Sequence, residues 1–416
     1  MACQFKTTLT KNGYTMSCLV CGSANLAFRV DFGKHPAASF FLVDPQQKEQ
    51  AYKLVLGQCT QCGSIQLIQP IPYYALVPPY DWLRSREPEE HLDDAVSRII
   101  NEGVLSANSV IGGLSYKDDT TIERFNNLGY PITWRLDLQD DFNITNPAAG
   151  IETIQKLVSP ARMAQIAKQH PSADLLIARH IIEHSENLIA FIEGLAELVT
   201  PNGLLMLEIP DCLSSLEIHE YCMIWEEHSL YFTPETFSLV PALGGFSIIW
   251  EMIYKRPFEN SLVLLARKDR TPAKPTISEA ARSQIGILDG YGKGYSTARQ
   301  NMQDLLATFR REHGAIALFG AGHLAHAFAN FMGVSEFIDF VADDTPQKQG
   351  MYLSGSKLPI FPSSELLTRN IKLCLLAVSI PTEPVVIERN DDFVTSGGIF
   401  RSILRESSRS IFSQCL

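Results

Sequence analysis

The 416-residue sequence predicts an α/β protein with an N-terminal zinc-binding module, a central Rossmann-like domain and a C-terminal Rossmann-like α/β domain. Three observations predict this architecture: two CxxC pairs near the start, an alternation of strand-like and helix-like segments from about residue 109, and a second alternation that opens on GAIALFGAGHLAHAF. We expect the module over 1–95, the central domain over 96–270, a helical linker over 271–312 and the last domain over 313–416.

Composition limits the possible functions. Apolar residues make up 45% of the chain and charged residues 19%, which is typical of a globular protein. The net charge of −11 disfavours a nucleic-acid partner and leaves a small molecule as the expected substrate. We find no apolar run long enough to span a membrane and no apolar core of a secretory signal, so we expect a cytoplasmic protein.

The N-terminal module is predicted from its cysteines. Four of the nine form two CxxC pairs, Cys18 with Cys21 and Cys59 with Cys62. Two such turns can complete a tetrahedral shell of four thiolates, which is typical of structural zinc. The alternatives are two unrelated pairs or a redox dithiol.

An arm with tyrosines follows the module. Prolines punctuate it, and its tyrosines are Tyr73, Tyr74 and Tyr80. The segment EEHLDDAVSRIINEGVL then has helical periodicity, and we expect this helix to begin near Glu87, with Pro88 in its first turn.

The central domain opens on a strand-like run that ends at Gly112 and Gly113. Asp137 ends the next strand-like segment, 25 residues after Gly112, where a Rossmann-like domain can place an acid that binds ribose hydroxyls. These residues favour a cofactor site and a plain α/β turn equally.

The motif ARHIIEH follows the strand-like run DLLI and places Arg179, His180, Glu183 and His184 at a strand end, where open α/β sheets bind ligands. His180 and His184 share a face if the turn is helical. We favour contact with cofactor and substrate; the alternatives are a HxxxH metal site and a core or capping role.

The motif IWEEHSLYFTPETF contains Glu226, Glu227, His228 and Tyr231. A neighbouring carboxylate can orient a histidine ring and raise its basicity, so His228 is a candidate general base. The alternative is an exposed turn. A helix is predicted to begin at Pro234.

The C-terminal domain opens on a strand that ends at Phe319, a turn with Gly320 and Gly322, and a helix. Asp343 lies 23 residues after Gly320, where a ribose-binding acid would stand. We favour an architectural or nucleotide-sugar-contacting role over a bound NAD(P).

Taken in order, these motifs resemble the three-domain, zinc-containing sugar C-methyltransferases. The resemblance covers CxxC…CxxC with HPAASFFL between the pairs, ARHIIEH with FIEGLAELVTPNGLLMLEIPD, WEEHSLYFTPETF, and FGAGHLAHAF with FVADDTPQKQGMYLSGSKLPI. It implies a central class I methyltransferase domain that uses S-adenosylmethionine to methylate the carbon next to the ketone of a nucleotide-diphosphate deoxysugar.

The resemblance also implies roles for single residues. His228 would remove the proton next to the ketone, Glu227 would orient or assist it, and His184 would hold the substrate or its enolate. Tyr80 would correspond to an active-site tyrosine. The expected cofactor contacts are Gly112, Gly113, Asp137, Arg179 and His180, and the expected zinc ligands are Cys18, Cys21, Cys59 and Cys62.

The loop VIGGLSYKDD departs from the family's usual Glu-x-Gly-x-Asx-x-Gly, which indicates a divergent member. Three other functions stay open. They are an O- or N-methyltransferase of another small metabolite, a non-catalytic protein with a methyltransferase fold, and a nicotinamide-dependent oxidoreductase that uses the GAGHLA turn.

Overall fold

The computed structural model describes residues 17–80, 82, 88–146, 148–257 and 259–413. Within these ranges the chain forms two units. The first takes the described residues of Met1–Phe28, Leu56–Leu213 and Glu227–Gly286, and the second those of Arg29–Val55, Ser214–Glu226 and Ile287–Leu416. The chain therefore enters each unit three times.

The strands of the described residues follow in chain order. They are β1 (Leu26–His35), β2 (Tyr52–Cys59), β3 (Ile65–Leu67), β4 (Ile111–Gly113), β5 (Thr133–Arg135), β6 (Ala173–Arg179), β7 (Val199–Pro210), β8 (Leu230–Tyr231), β9 (Phe246–Tyr254), β10 (Ser261–Lys268), β11 (Ile316–Phe319), β12 (Phe340–Ala342), β13 (Ile360–Phe361), β14 (Leu373–Leu376) and β15 (Ile399–Ser402).

The α-helices of the same residues are α1 (Leu92–Asn101), α2 (Asp119–Asn127), α3 (Ile151–Leu157), α4 (Pro160–Ile166), α5 (Leu188–Leu198), α6 (Leu213–Glu217), α7 (Pro234–Phe237), α8 (Glu279–Ser283), α9 (Ile287–Glu312), α10 (His323–Phe331), α11 (Glu365–Thr368), α12 (Glu383–Arg389) and α13 (Asp391–Thr395). The expected start of α1 near Glu87 lies outside the described residues, and the helix runs from Leu92. No helix of the described ranges is long and apolar enough to cross a bilayer.

The first unit contains a six-stranded sheet with the order β5-β4-β6-β7-β10-β9. Its first four strands are parallel, and β10 pairs antiparallel with both β7 and β9. The predicted alternation of strands and helices is confirmed. Since β4, β5 and β6 are parallel neighbours, the residues that follow them lie along one edge of the sheet.

The central strands form because their sequences are continuously apolar, which suits strands buried on both faces. Leu175, Leu176 and Ile177 of β6 are fully buried, as are Leu204 and Leu205 of β7. Helix α5 covers this core with Leu188, Phe191 and Leu195. Its last turn is held by Lys268 Nζ, which donates to the carbonyls of Ala196 and Val199 at 2.5 and 2.8 Å.

A smaller sheet has the order β1-β2-β3-β8. Strand β3 lies between β2 and β8 and is antiparallel to both. Ile65 faces Tyr231, so the strand that follows His228 is joined to the strand that follows the second cysteine pair. Within the first unit, this pairing connects the cysteine module to the EEH segment.

The second unit contains a parallel five-stranded sheet with the order β13-β12-β11-β14-β15. The glycine-rich turn links β11 to α10, as its sequence predicts. The 26-residue helix α9 precedes this sheet, so the expected helical character of the segment before the C-terminal alternation is also confirmed.

Candidate functional site

The four predicted zinc ligands meet in a buried cluster. Their ligand sulfurs all lie within 4.8 Å of one another. The Sγ atoms of Cys18 and Cys62 are 3.6 Å apart, and those of Cys21 and Cys59 are 3.7 Å apart. Tetrahedral zinc with Zn–S bonds of about 2.3 Å requires sulfurs about 3.8 Å apart, so the cluster fits zinc.

Each cysteine pair sits on a tight turn that ends in a glycine. Gly22 and Gly63 have φ of +73° and +80°, where residues with a Cβ are strained. A Cβ on Gly63 would also lie 2.5 Å from the carbonyl oxygen of Ala281. With four thiolates, zinc here would have no open position, so its role would be structural.

The two glycines after β4 are packed against protein atoms. A Cβ on Gly112 would lie 2.5 Å from the ring of Trp134, and one on Gly113 would lie 2.7 Å from Cδ1 of Ile122. Gly112 therefore packs directly against a rigid ring, whereas the side chain that Gly113 meets can move.

Asp118 organises the divergent loop itself. Its Oδ2 accepts the backbone N–H groups of Leu114 and Ser115, both at 2.8 Å, and its Oδ1 accepts that of Arg179 at 2.9 Å. Burial raises the pKa of Asp118 to about 7, against the effect of these donors and of the Arg179 charge. The carboxyl group thus joins the end of β4 to the end of β6.

Asp137 lies exposed just beyond β5, at the same edge of the sheet. Its Oδ1 accepts the N–H groups of Asp140 and Gln139 at 2.9 and 2.7 Å, and these bonds lower its pKa. An ionised, solvent-facing carboxylate at this edge fits a sugar with adjacent hydroxyls, as a nucleoside cofactor would supply.

Arg179 has a different environment, since its side chain is only 1% exposed and is committed to protein groups. Its Nε donates to Glu208 at 2.6 Å, while its Nη1 contacts Glu89 at 3.3 Å and the carbonyl of Lys117 at 2.5 Å. His91 Nε2 reaches the other oxygen of Glu208 at 2.6 Å. The guanidinium therefore fastens strand ends to the segment before α1.

Glu208 is fully buried and ionised because of this cluster. Burial alone would raise its pKa, but the Arg179 charge and the contacts with His180 and His91 hold it well below its ordinary value. His180 Nε2 lies 3.4 Å from Glu208, and its backbone has the unusual φ of +47°. Such backbone strain in a residue with a Cβ is typical of functional sites.

The EEH and ARHIIEH motifs converge on a second cluster. Ligand atoms of Glu183, His184 and His228 all lie within 4.8 Å of one another, and so do those of Glu152, His184 and Glu227. The rings of His184 and His228 are perpendicular, with centroids 4.6 Å apart. His184 and His228 are 7% and 8% exposed, so solvent reaches both rings only slightly.

Tyr80 is half-buried and stacks on Trp82, with ring centroids 5.1 Å apart. Earlier in the same arm, the backbone N–H of Tyr73 donates to Glu186 Oε1 at 3.3 Å. Glu186 follows His184 by two residues. The start of the tyrosine arm is thus anchored beside the histidine cluster.

Glu226 belongs to the second unit, whereas Glu227 belongs to the first. In the second unit, Glu226 accepts the N–H of Ala38 at 2.5 Å and lies 3.2 Å from His323 Nδ1. Burial opposes its ionisation, but His323 and the other groups around it lower its pKa to about 2. The two adjacent carboxylates of the EEH motif therefore have different surroundings, since Glu226 is buried and Glu227 is half-buried.

The glycine turn of the second unit is closed by Asp343. Its Oδ2 accepts the N–H of Ala321 at 2.8 Å and lies 3.1 Å from Lys348 Nζ, while its Oδ1 accepts the N–H of Thr345. A Cβ on Gly320 would lie 2.7 Å from Val378. These contacts give Asp343 and Gly320 an architectural role in the turn.

Sequence patterns did not reveal Glu152, Glu208 or Asp118 as members of these clusters. Glu152 stands in a segment without a motif, and Glu208 sits inside an apolar strand where its neighbours gave no sign of a cation. Asp118 carried one signal, the spacing of Ser115 and Asp118, which forms a capping box.

Comparison with known proteins adds an independent finding. Residues 275–404 match the C-methyltransferase C-terminal domain family. The C-methyltransferase NovU of Streptomyces niveus is 23% identical over 397 residues, which cover 92% of this chain and 94% of NovU.

Two further similarities are more restricted. The redox-sensing transcriptional repressor Rex of Brevibacillus brevis is 35% identical over 91 residues, 20% of this chain and 41% of Rex. Among solved structures, magnesium protoporphyrin IX methyltransferase ChlM of Synechocystis PCC 6803 with bound SAM shares 13% identity over 45% of this chain and 88% of its own, with a TM-score of 0.30.

The similarity to NovU runs through nearly the whole of both chains, and the family match falls on the C-terminal part for which the motifs predict it. Together with the fold, these findings confirm the resemblance given by the ordered motifs. Residues 275–404 therefore carry a C-methyltransferase C-terminal domain, and the chain as a whole is similar to a C-methyltransferase, as the ordered motifs predict.

Proposed function

We propose that this methyltransferase uses S-adenosylmethionine to methylate the carbon next to the ketone of a nucleotide-diphosphate deoxysugar. The observation that carries the proposal is the convergence of His228 and Glu227 on the buried His184, each in a group of close ligand atoms that includes His184. C-methylation at such a carbon requires removal of a proton from carbon, and a positioned histidine beside carboxylates is suited to this step.

His228 acts as the general base in this proposal. The C–H bond of the acceptor breaks, its proton moves to an imidazole nitrogen, and the electron pair passes into the enolate. Glu227 orients or assists His228, since it adjoins His228 in the chain and both residues have ligand atoms close to those of His184. The small exposure of both rings keeps water from competing for the proton or for the enolate carbon.

His184 and Tyr80 hold the acceptor in this proposal. His184 lies at the centre of the cluster, because its ligand atoms are close to those of Glu152, Glu183, Glu227 and His228. Tyr80 lies on the arm whose start is anchored next to His184. The proposed binding partner is therefore a small acceptor molecule that contacts both His184 and Tyr80.

S-adenosylmethionine would supply an electrophilic methyl group when bound. The residue we assign to its ribose is Asp137, which is exposed and kept ionised by two N–H donors. His180, at the strained end of β6, lies along the same edge of the sheet and would line the site. Gly112, Gly113 and Arg179 contact other protein groups at the same strand ends and would hold this edge of the sheet in place.

Proton exchange at the acceptor carbon tests the role of His228. The purified protein is incubated in D2O with a nucleotide-linked ketosugar, and loss of the proton next to the ketone is followed by NMR. We expect wild type to exchange this proton, and His228→Asn to lose both exchange and methyl transfer while its affinity for S-adenosylmethionine changes less than about threefold. The matched control is His313→Asn, because His313 is exposed and lies just beyond the end of α9.

Three outcomes would contradict the proposal in different ways. Exchange that persists in His228→Asn removes His228 as the base. Methylation of an oxygen or nitrogen with no exchange indicates an O- or N-methyltransferase, and failure of wild type to bind S-adenosylmethionine indicates a non-catalytic protein.

A further inference from the structure

Helix α3 brings a carboxylate to His184 that no motif indicates. Glu152, in the first turn of α3, has an Oε1 atom 3.7 Å from His184 Nδ1. Its side chain is 12% exposed and that of His184 is 7% exposed. Among the described residues, no hydrogen-bond partner is in place for this Nδ1, so Glu152 is the acceptor that faces it.

The position of Glu152 is fixed by contacts along the rest of α3. Gln155 Oε1 accepts the backbone N–H of Glu186 at 3.1 Å, and Lys156 Nζ contacts the Glu186 carboxylate at 2.7 Å. Glu186 follows His184 by two residues. The helix and the segment that carries His184 are therefore joined at two points, and the distance between Glu152 and His184 follows from that joint.

The residue before α3 leaves room for the carboxylate. A Cβ on Gly150 would lie 3.2 Å from Glu152 Oε2, which is closer than ordinary van der Waals contact. Because the N-cap residue Gly150 has no side chain, the Glu152 carboxylate can lie close to the start of α3, where it is 3.7 Å from His184 Nδ1.

We propose that Glu152 is a positioning residue that fixes the ring orientation and tautomer of His184. Its carboxylate accepts the Nδ1–H of His184, which leaves Nε2 to meet the acceptor molecule. A carboxylate on the second nitrogen of a histidine is a general way to fix which nitrogen carries the proton. The kinetic part of this inference rests on the function proposed above.

The first test reads the His184 ring directly and needs no substrate. Two-bond 1H–15N NMR spectra of the full chain, with His184→Asn used for assignment, report the tautomer of His184. We expect the Nδ1–H form in wild type and in the control Glu123→Gln, whose residue is exposed on α2. In Glu152→Gln we expect a shift of the His184 ring resonances and a mixture of tautomers.

The second test measures methyl transfer. We expect Glu152→Gln to lower kcat by about tenfold to a hundredfold and Glu152→Asp to recover part of that loss, while the affinity for S-adenosylmethionine stays within about twofold. In the double variant with His184→Asn, replacing Glu152 should cost nothing more, because it acts through His184. Gly150→Ala should reproduce a smaller version of the same loss.

Other results would overturn the inference. An Nε2–H tautomer in wild type, or His184 resonances that Glu152→Gln leaves unchanged, would exclude the proposed contact even if methyl transfer is never detected. A divalent ion bound in addition to zinc, and lost in Glu152→Gln, would make Glu152 a metal ligand instead. Independent, additive losses in the double variant would show that Glu152 acts on its own.

Discussion

Arg179 and Glu208 show how burial decides the role of a charged residue. At a strand end, an arginine can contact a cofactor, but this guanidinium is 1% exposed and bound to Glu208, Glu89 and the carbonyl of Lys117. The desolvation of both charges is offset only while the pair is complete. The buried pair of Arg179 and Glu208 therefore holds the ends of β6 and β7 in position.

We predict that Arg179→Ala lowers the free energy of unfolding by about 3–5 kcal/mol, because it leaves Glu208 buried without its cation. Urea unfolding at neutral pH measures the loss, and Arg98→Ala, which removes an exposed pair with Asp94, is the control. If Arg179→Ala unfolds like wild type and loses only cofactor affinity, the guanidinium contacts the cofactor after all.

Gly112 offers a second test at the scale of one residue. We predict that Gly112→Ala destabilises the protein by about 1–3 kcal/mol, since the added methyl group meets the Trp134 ring. The double variant Gly112→Ala/Trp134→Leu should regain part of the loss. Thermal unfolding of the three chains checks this, and a Gly112→Ala protein as stable as wild type would show that the loop moves freely.

At the scale of elements, helix α10 carries a buried histidine that links stability to pH. His326 is fully buried, with Nδ1 3.0 Å from the Ser354 hydroxyl, and burial lowers its pKa to about 4. The unfolded chain has an ordinary histidine pKa of about 6.5 and therefore binds the proton more readily. The contribution of neutral His326 to the free energy of unfolding is therefore fully present above pH 6.5. It is lost as the pH falls toward 4.

We predict that lowering the pH from 7 to 5 reduces the contribution of His326 to the free energy of unfolding by about 2 kcal/mol. The variant His326→Gln should lack this part of the pH dependence. The difference between the two chains isolates the effect, because buried Glu220, with its pKa raised to about 7, acts in the opposite direction. Chemical unfolding at several pH values measures it. Parallel curves for the two chains would mean that His326 takes up its proton without unfolding.

The cysteine module gives a prediction for metal removal. We expect one zinc ion per chain, and we expect Cys59→Ser or a strong chelator to remove it and to lower the melting temperature by several degrees, because the paired turns lose their joint ligand. Elemental analysis and thermal unfolding check both parts. Cys374→Ser, in the core of β14, is the control that keeps the metal. A metal-free chain with unchanged melting would refute the site.

At the scale of the whole molecule, the sequence predicted the elements better than the contacts between them. Continuous apolar runs mark β6, β7 and β11 because burial on both faces of the sheet imposes that pattern, and paired cysteines mark their own cluster. The contact of Glu152 with His184 comes from the docking of α3, which leaves no trace in residue spacing. The same holds for Glu226 and Glu227, adjacent in sequence but placed in different units.

The similarity to a C-methyltransferase runs through nearly the whole chain, whereas the proposed reaction depends on a few side chains. In the proposed reaction these side chains remove a proton from carbon. The site of methylation in the product is therefore the central point of the account.

The most direct measurement is the structure of the product formed with 13C-methyl-labelled S-adenosylmethionine and a nucleotide-linked ketosugar. We predict a labelled methyl group bonded to the carbon next to the ketone, seen in NMR as a methyl carbon coupled to ring protons or carbons, with one ring proton lost to solvent. A labelled methyl group on oxygen or nitrogen, with every ring proton retained, would contradict the account.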